Sequence, residues 1–327
     1  MAVEASAPGK AILFGEHSVV YRGPAVVLAI DKRAQVIAEE RSDKKIFINA
    51  EDLGFSGYFL GDRYHPKRGE TWRGRRLAAF NVAARRTMEH LGVGSGLDLI
   101  VRSEIPIAVG LGSSAAISVA TVAAVGELLG GGLSKEDICS LAYEGERVVH
   151  GTPSGVDNNI STYGGILRYE RDVGFERFEV DGSPPFVVGN TRRKRSTRRM
   201  VDIVRALRDR NTEVVDNMID ALGNISQEGL TALLEADLTR LGDLMNINHG
   251  FLAALGVSSP ELDMMVHASR RAGALGAKLT GAGGGGCMIA LAEDSCLKRV
   301  EDAIRGEWGV PIRVNVSYEG VETRGIS

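Results

Sequence analysis

Cysteine is scarce in this chain of 327 residues, which holds only Cys139, Cys287 and Cys296. An odd number with no C-x-x-C pair excludes a disulfide framework and a cysteine zinc site, and suits free thiols in a reducing compartment. The six histidines show no H-E-x-x-H or other zinc spacing. Long apolar runs are missing: the longest, Ala115 to Gly126, is too short to cross a bilayer. The opening MAVEASAPGK lacks the basic and apolar regions of a signal peptide, so a cytoplasmic location without membrane contact is expected. No charge sign dominates, with 39 basic against 42 acidic side chains and a net charge of −3. That balance argues against nucleic acid or an anionic membrane as a partner. A G-x-S-x-G nucleophile elbow and a G-K-[ST] phosphate loop are also absent.

Glycine, by contrast, is abundant and clustered. There are 41, concentrated in GLG at 110–112, GGG at 130–132 and GAGGGG at 281–286. The remaining composition, 44% hydrophobic and 25% charged, is that of a soluble folded protein. Clustered glycine in such a chain marks backbone that approaches a ligand closely or adopts positive φ.

The pattern of residues predicts strands at 3–7 and 11–14 around a Pro8-Gly9 turn. It also predicts a hairpin of 25–30 and 34–40 across Asp31-Lys32-Arg33, and a strand within 97–107. Residues 115–129 read as a helix apolar nearly all round, hence buried. Ser134 with Asp137 signals the start of the next helix, which His150-Gly151 and Pro153 stop. DGSPPF at 181–186 is the best boundary, giving domains of 1–185 and 186–327. Beyond it, helices are predicted at 197–210, 212–223, 227–255, 260–272 and 295–306, with strands at 287–292 and 312–319. Strands and helices mix without a strict βαβ rhythm, so the fold class expected is α+β in two domains.

Several stretches can carry chemistry. VGLGSSAAISVA at 109–120 puts a glycine turn ahead of a helix, where free N–H groups and the helix dipole suit phosphate. Taken alone it reads equally well as an ordinary helix start with a serine cap. PGKAILFGEHSVV at 8–20 sets Lys10, Glu16 and His17 in an apolar segment. EGERVVHGTPSGVDN at 144–158 brackets a loop with Glu146 and Asp157, suited to one metal-binding and one substrate-facing carboxylate, or to two solvated acids. AKLTGAGGGGC at 277–287 is either a loop lying against a ligand or a tight turn before a strand. NTRRKRSTRR at 190–199 has six basic residues in eight and no aromatic to stack bases. It reads as a solvated face, with an anionic-ligand role for one or two residues as the functional alternative.

The order of these motifs is more specific than any one of them. APGKAILFGEHSVVYRGPAVVLAI, IPIAVGLGSSAAISVA, GERVVHGTPSGVDN, NTRRKRSTR and KLTGAGGGGC together resemble the GHMP kinases, over residues 5 to about 290. Within that family, FGEHSVVY and PSGVDN are most similar to the members that phosphorylate mevalonate. The resemblance implies an N-terminal domain like the second domain of ribosomal protein S5 and a ferredoxin-like C-terminal domain. It implies mevalonate and ATP as substrates, Mg²⁺ as cofactor, and a homodimer.

The same resemblance implies roles at matching positions. Asp157 corresponds to the catalytic aspartate and Lys10 to the lysine joining it to the transferred phosphate. Ser114 and Glu146 match Mg²⁺ ligands. Gly110, Leu111, Gly112, Ser113 and Ser114 match the phosphate loop, with Gly283 and Gly284 also on the ATP phosphates. Glu16 and His17 match the mevalonate pocket, and Arg195 and Thr197 residues near substrate and phosphates. The extra basic density at Arg193 and Lys194 departs from the family pattern. Phosphoryl transfer needs positioning and charge neutralisation more than a strong base. Since aspartates titrate far below alcohols, Asp157 fits a hydroxyl-orienting group and late proton acceptor. The competing expectations are a kinase of the same fold acting on phosphomevalonate, a sugar or another small alcohol, and a ligand-binding regulator that has lost catalysis.

Overall fold

The computed structural model describes residues 2–326 except 22, 69–73, 107–108, 151–153, 181, 183 and 195. The expected site residue Arg195 and the stop residues Gly151 and Pro153 lie outside the described residues. In chain order the first half holds β1 (Ala2–Phe14), a 3-10 turn (Ser18–Tyr21), β2 (Ala25–Arg41), β3 (Ile46–Ala50), β4 (Phe55–Leu60), β5 (Arg63–Arg68), α1 (Gly74–Leu91), β6 (Gly96–Ser103), α2 (Ser113–Leu128), α3 (Lys135–His150), α4 (Val156–Tyr163), β7 (Ile166–Glu170) and β8 (Gly174–Phe178). The second half holds β9 (Phe186–Asn190), α5 (Thr197–Arg210), α6 (Thr212–Leu234), α7 (Leu238–Ala254), α8 (Pro260–Arg271), β10 (Gly276–Thr280), β11 (Cys287–Leu291), α9 (Asp294–Gly306), β12 (Val310–Val314) and β13 (Glu322–Ile326).

Two sheets organise these elements. The first runs β13-β1-β2-β6-β3-β4-β5, with β7 on the N-terminal half of β2 and β8 beyond it. The second runs β10-β11-β9-β12 and is antiparallel throughout. In chain order its strands are first, second, third and fourth, arranged 4-1-3-2 across the sheet, with α8 and α9 packed on it. This is the ferredoxin-like arrangement expected, and the α+β class holds.

The first two strands correct the sequence reading. β1 passes unbroken through Pro8-Gly9, and β2 through Asp31-Lys32-Arg33. The breakers act together as a bulge instead of as two turns: the register slips between Pro8, opposite Arg33, and Gly9, opposite Ile30. A bulge inserts unpaired residues and bends the strand without ending it. The second correction concerns α6, which continues through Gly223 to Leu234. The chain breaks instead at Ala236, in the left-handed region at φ 55°, and Asp237 caps α7 by accepting from the Arg240 N–H. The final strand also departs from expectation: β12 ends at Val314, and an unanticipated strand beyond residue 319, β13, returns to pair with β1. Thus β9 opens the second sheet at Phe186, where the boundary was expected, but the chain's end belongs to the first sheet.

The helices that position the site follow their sequence signals. α2 is buried on every side from Ala115 to Gly126 and packs on β1 and β2 under α1 and α3. Ser134 and Asp137 bond reciprocally at the start of α3, Oγ accepting from the Asp137 N–H at 3.1 Å. The two sheets share one core. Phe186, Val188, Cys287, Ile289 and Leu291 join the apolar cluster of the first sheet, and Val187, Met288 and Ala290 face α5, α6, α8 and α9. Alternation with both faces buried is what a sheet sandwiched between layers requires. None of the three cysteines is in a disulfide, and among the described residues no helix is long and apolar enough to cross a membrane.

Candidate active site

Lys10 sits on β1 where three elements converge. Its backbone N–H donates to Leu111 O at 2.9 Å, fastening the 110–112 turn to the strand. Gly9 allows this approach, since a β-carbon there would stand 2.8 Å from Leu111 O. On the other side, Ser161 of α4 donates to Pro8 O at 2.8 Å, a buried bond that ties α4 to the same strand. The outcome is an ion pair: Lys10 Nζ lies 3.1 Å from Asp157 Oδ1. The lysine side chain is 5% exposed and the aspartate 41%, so the pair is anchored within and opens outward.

The start of α2 borders the pair. Its N-cap is Gly112, left-handed at φ 77°, with no side chain capping the first turn. The serine cap of the alternative reading is not formed. Instead Ser113 is buried, its hydroxyl 3.3 Å from that of Ser103. Uncapped N–H groups at a buried helix start present positive potential to an anion. Ser114 turns the other way and donates to Glu146 Oε1 at 2.6 Å. Glu146, on α3, is 3% exposed. Hydroxyl and carboxylate oxygens are the donors Mg²⁺ prefers, and one carboxylate completed by substrate phosphates is its usual protein site. The pair therefore fits such an ion. Among the described residues no cluster of three His, Cys, Asp or Glu offers an alternative.

The remaining expected residues divide. His17, left-handed at φ 63° and 5% exposed, places Nε2 3.0 Å from Ala282 O, so it reaches the glycine-rich loop. Glu16 is elsewhere: its side chain is wholly buried and paired with Lys278, equally buried. Burial pushes the Glu16 carboxyl up and the Lys278 ammonium down, and each partner's charge opposes this. The structure thus brings Glu16 to β10 and not to the open cleft. In the loop, Gly283 and Gly284 are left-handed and pressed on Val257 and Met200. The Gly284 N–H donates to Val257 O at 2.7 Å, and the Gly286 N–H to Arg193 O at 3.1 Å. Those two donors fasten the loop to the segments at Val257 and Arg193. Thr197 opens α5 and is exposed. Of the basic run, Arg193 pairs with Glu261 at 2.7 Å.

Three participants escaped the sequence reading: Lys278, Thr280 and Ser161. Lys278 had a signal, a cation between Ala277 and Leu279 in an apolar strand, which demands a buried partner. Ser161 had none, because its partner is 153 residues away.

Known proteins match this chain over nearly its whole length. Residues 78–165 match the GHMP kinases N terminal domain, and residues 230–309 the GHMP kinases C terminal domain. Mevalonate kinase of Pyrococcus horikoshii is 42% identical, covering 99% of this chain and 98% of the relative. That of Methanothermobacter thermautotrophicus is 36% identical, covering 98% and 100%. Among solved structures, L. major mevalonate kinase in complex with R-mevalonate superposes with a TM-score of 0.83 at 29% identity, over 96% of each chain.

Proposed function

The chain belongs to the GHMP kinases, and from that membership we propose that it transfers the terminal phosphoryl group of ATP to mevalonate. The product is 5-phosphomevalonate, which enters isoprenoid synthesis. The observation that carries this reading is the Lys10–Asp157 pair at 3.1 Å, set beside the uncapped start of α2.

Each residue has a part that its position supports. The Asp157 carboxylate, partly exposed on the first turn of α4, orients the acceptor hydroxyl and takes its proton late in transfer. The Lys10 ammonium holds that carboxylate and offsets the charge of the moving phosphoryl group. The N–H groups opening α2 bind phosphate oxygens. Ser114 and Glu146 would hold Mg²⁺, which when bound supplies neutralising charge to the phosphates. His17 lies where the acceptor meets the glycine-rich loop. Arg195 and Thr197 belong to the same reading as substrate-side residues, as do Gly283 and Gly284 as loop backbone near the phosphates. A homodimer in the cytoplasm completes the proposal, and light scattering of the purified protein measures its mass.

The test is ADP release with ATP and Mg²⁺ across mevalonate, phosphomevalonate, galactose and homoserine. Release with mevalonate is expected. Release only with another acceptor overturns the substrate, and release with none overturns the catalytic reading.

A further inference from the structure

Lys278 and Glu16 form a wholly buried ion pair that joins the second sheet to the segment leaving β1. The ammonium is fully engaged. It also donates to Leu279 O at 2.8 Å and stands 5.9 Å from the centre of the Phe14 ring. The backbone of Glu16 and Gly281 favours the charged form of the same carboxylate, whose Oε2 is buried without a hydrogen-bond partner. With no exposed surface, neither charged group can touch a substrate.

The pair is one of three ties along a single seam. Thr280, two residues on and therefore on the same face of β10, accepts from the Ile12 N–H at 3.1 Å and donates to Ile12 O at 2.8 Å. Two residues further, Ala282 O meets His17 Nε2 at 3.0 Å. Residues 278, 280 and 282 are thus stitched to 16, 12 and 17. Lys10 lies two residues before Ile12 on the same strand, so the seam borders the Lys10–Asp157 pair.

A buried ion pair gains little stability over apolar residues of like volume, because desolvation offsets its attraction. Its distinctive property is that it is satisfied in one geometry only. We propose that Lys278 is a positioning residue which, through Glu16, pins the His17 turn under the glycine-rich loop and so fixes the acceptor side of the cleft relative to Lys10 and Asp157. This rests on the kinase reading for its consequence in turnover, but not for the pin itself.

The test uses the full chain with Lys278→Met, Glu16→Gln, the double variant and Thr280→Val. Each single charge variant strands a buried charge and is expected to lose folded protein. The double variant strands none and is expected to fold with a melting temperature near that of the parent. Even so, kcat/KM for mevalonate should fall on the order of 10- to 100-fold through misplacement, while ATP affinity stays within about twofold, since the α2 turn is anchored separately to β1. Hydrogen exchange needs no substrate: amides of 10–17 and 278–286 should both speed up in the double variant and, less strongly, in Thr280→Val. A folded double variant with parental kinetics overturns the proposal. So does Thr280→Val with unchanged exchange on both sides of the seam, which remains decisive if the double variant fails to fold. Exchange that rises as expected in a parent inactive on mevalonate would instead overturn the substrate and leave the pin standing.

Discussion

The Ser114 hydroxyl donates to Glu146 Oε1 at 2.6 Å, joining the first turn of α2 to the C-terminal half of α3. This buried carboxylate and the hydroxyl beside it are the oxygen donors that Mg²⁺ prefers. Glu146→Gln keeps the shape and removes the charge. The Mg²⁺ concentration for half-maximal activity is expected to rise on the order of 10- to 100-fold. An unchanged Mg²⁺ titration removes Glu146 from the metal site.

Asp157→Asn leaves an uncharged group beside Lys10. Turnover with mevalonate should drop on the order of 10²- to 10⁴-fold, with nucleotide affinity changed only a few-fold, as equilibrium binding of a fluorescent ATP analogue would measure. Near-normal turnover would exclude Asp157 from the reaction.

Gly112→Ala asks whether the α2 turn and Lys10 are truly packed together. The position is left-handed at φ 77°, and a β-carbon would stand 2.9 Å from Lys10 Cγ. Strain of about 1–3 kcal/mol is expected in the folded state, visible in denaturant titration. Because the clash is with Lys10, kcat should fall as well. Full activity at reduced stability would confine the glycine to folding.

His249 supplies a pH signature. It lies on α7, its Nδ1 accepting from the Leu279 N–H at 3.3 Å and its Nε2 3.2 Å from Asp263. Burial, with Arg270 nearby, depresses its pKa to about 4 from an ordinary 6.5. Between those values the unfolded chain binds a proton that the folded protein refuses. The contribution of His249 is therefore present above pH 6.5 and is lost as pH falls toward 4, by up to about 3 kcal/mol. Comparison with His249→Gln isolates this slope from that of Glu16, whose raised pKa acts in the opposite sense. Parallel stability curves for the two proteins between pH 4 and 6.5 would contradict the assignment.

Local chemistry made part of this protein readable. A run such as Ala115 to Gly126, apolar but for Ser118 and Thr121, is expected to be buried, and it is. Ser134 with Asp137, Pro260 at the start of α8, and Gly273 after it act within one turn, so neighbours in sequence suffice to place those ends. Motif order likewise singled out Lys10 with Asp157 and Ser114 with Glu146, and in the fold each pair meets. Tertiary structure decided what those signals were worth. Pro8-Gly9 and Asp31-Lys32-Arg33 look like turns singly, and become a bulge only because β1 and β2 pair and share the irregularity. Glu16 looks like a ligand beside His17, and its partner lies 262 residues away. An ionisable side chain carries no mark of whether it will face solvent, substrate or a buried counter-charge. That is set by desolvation, which exists only once two distant strands have closed over it.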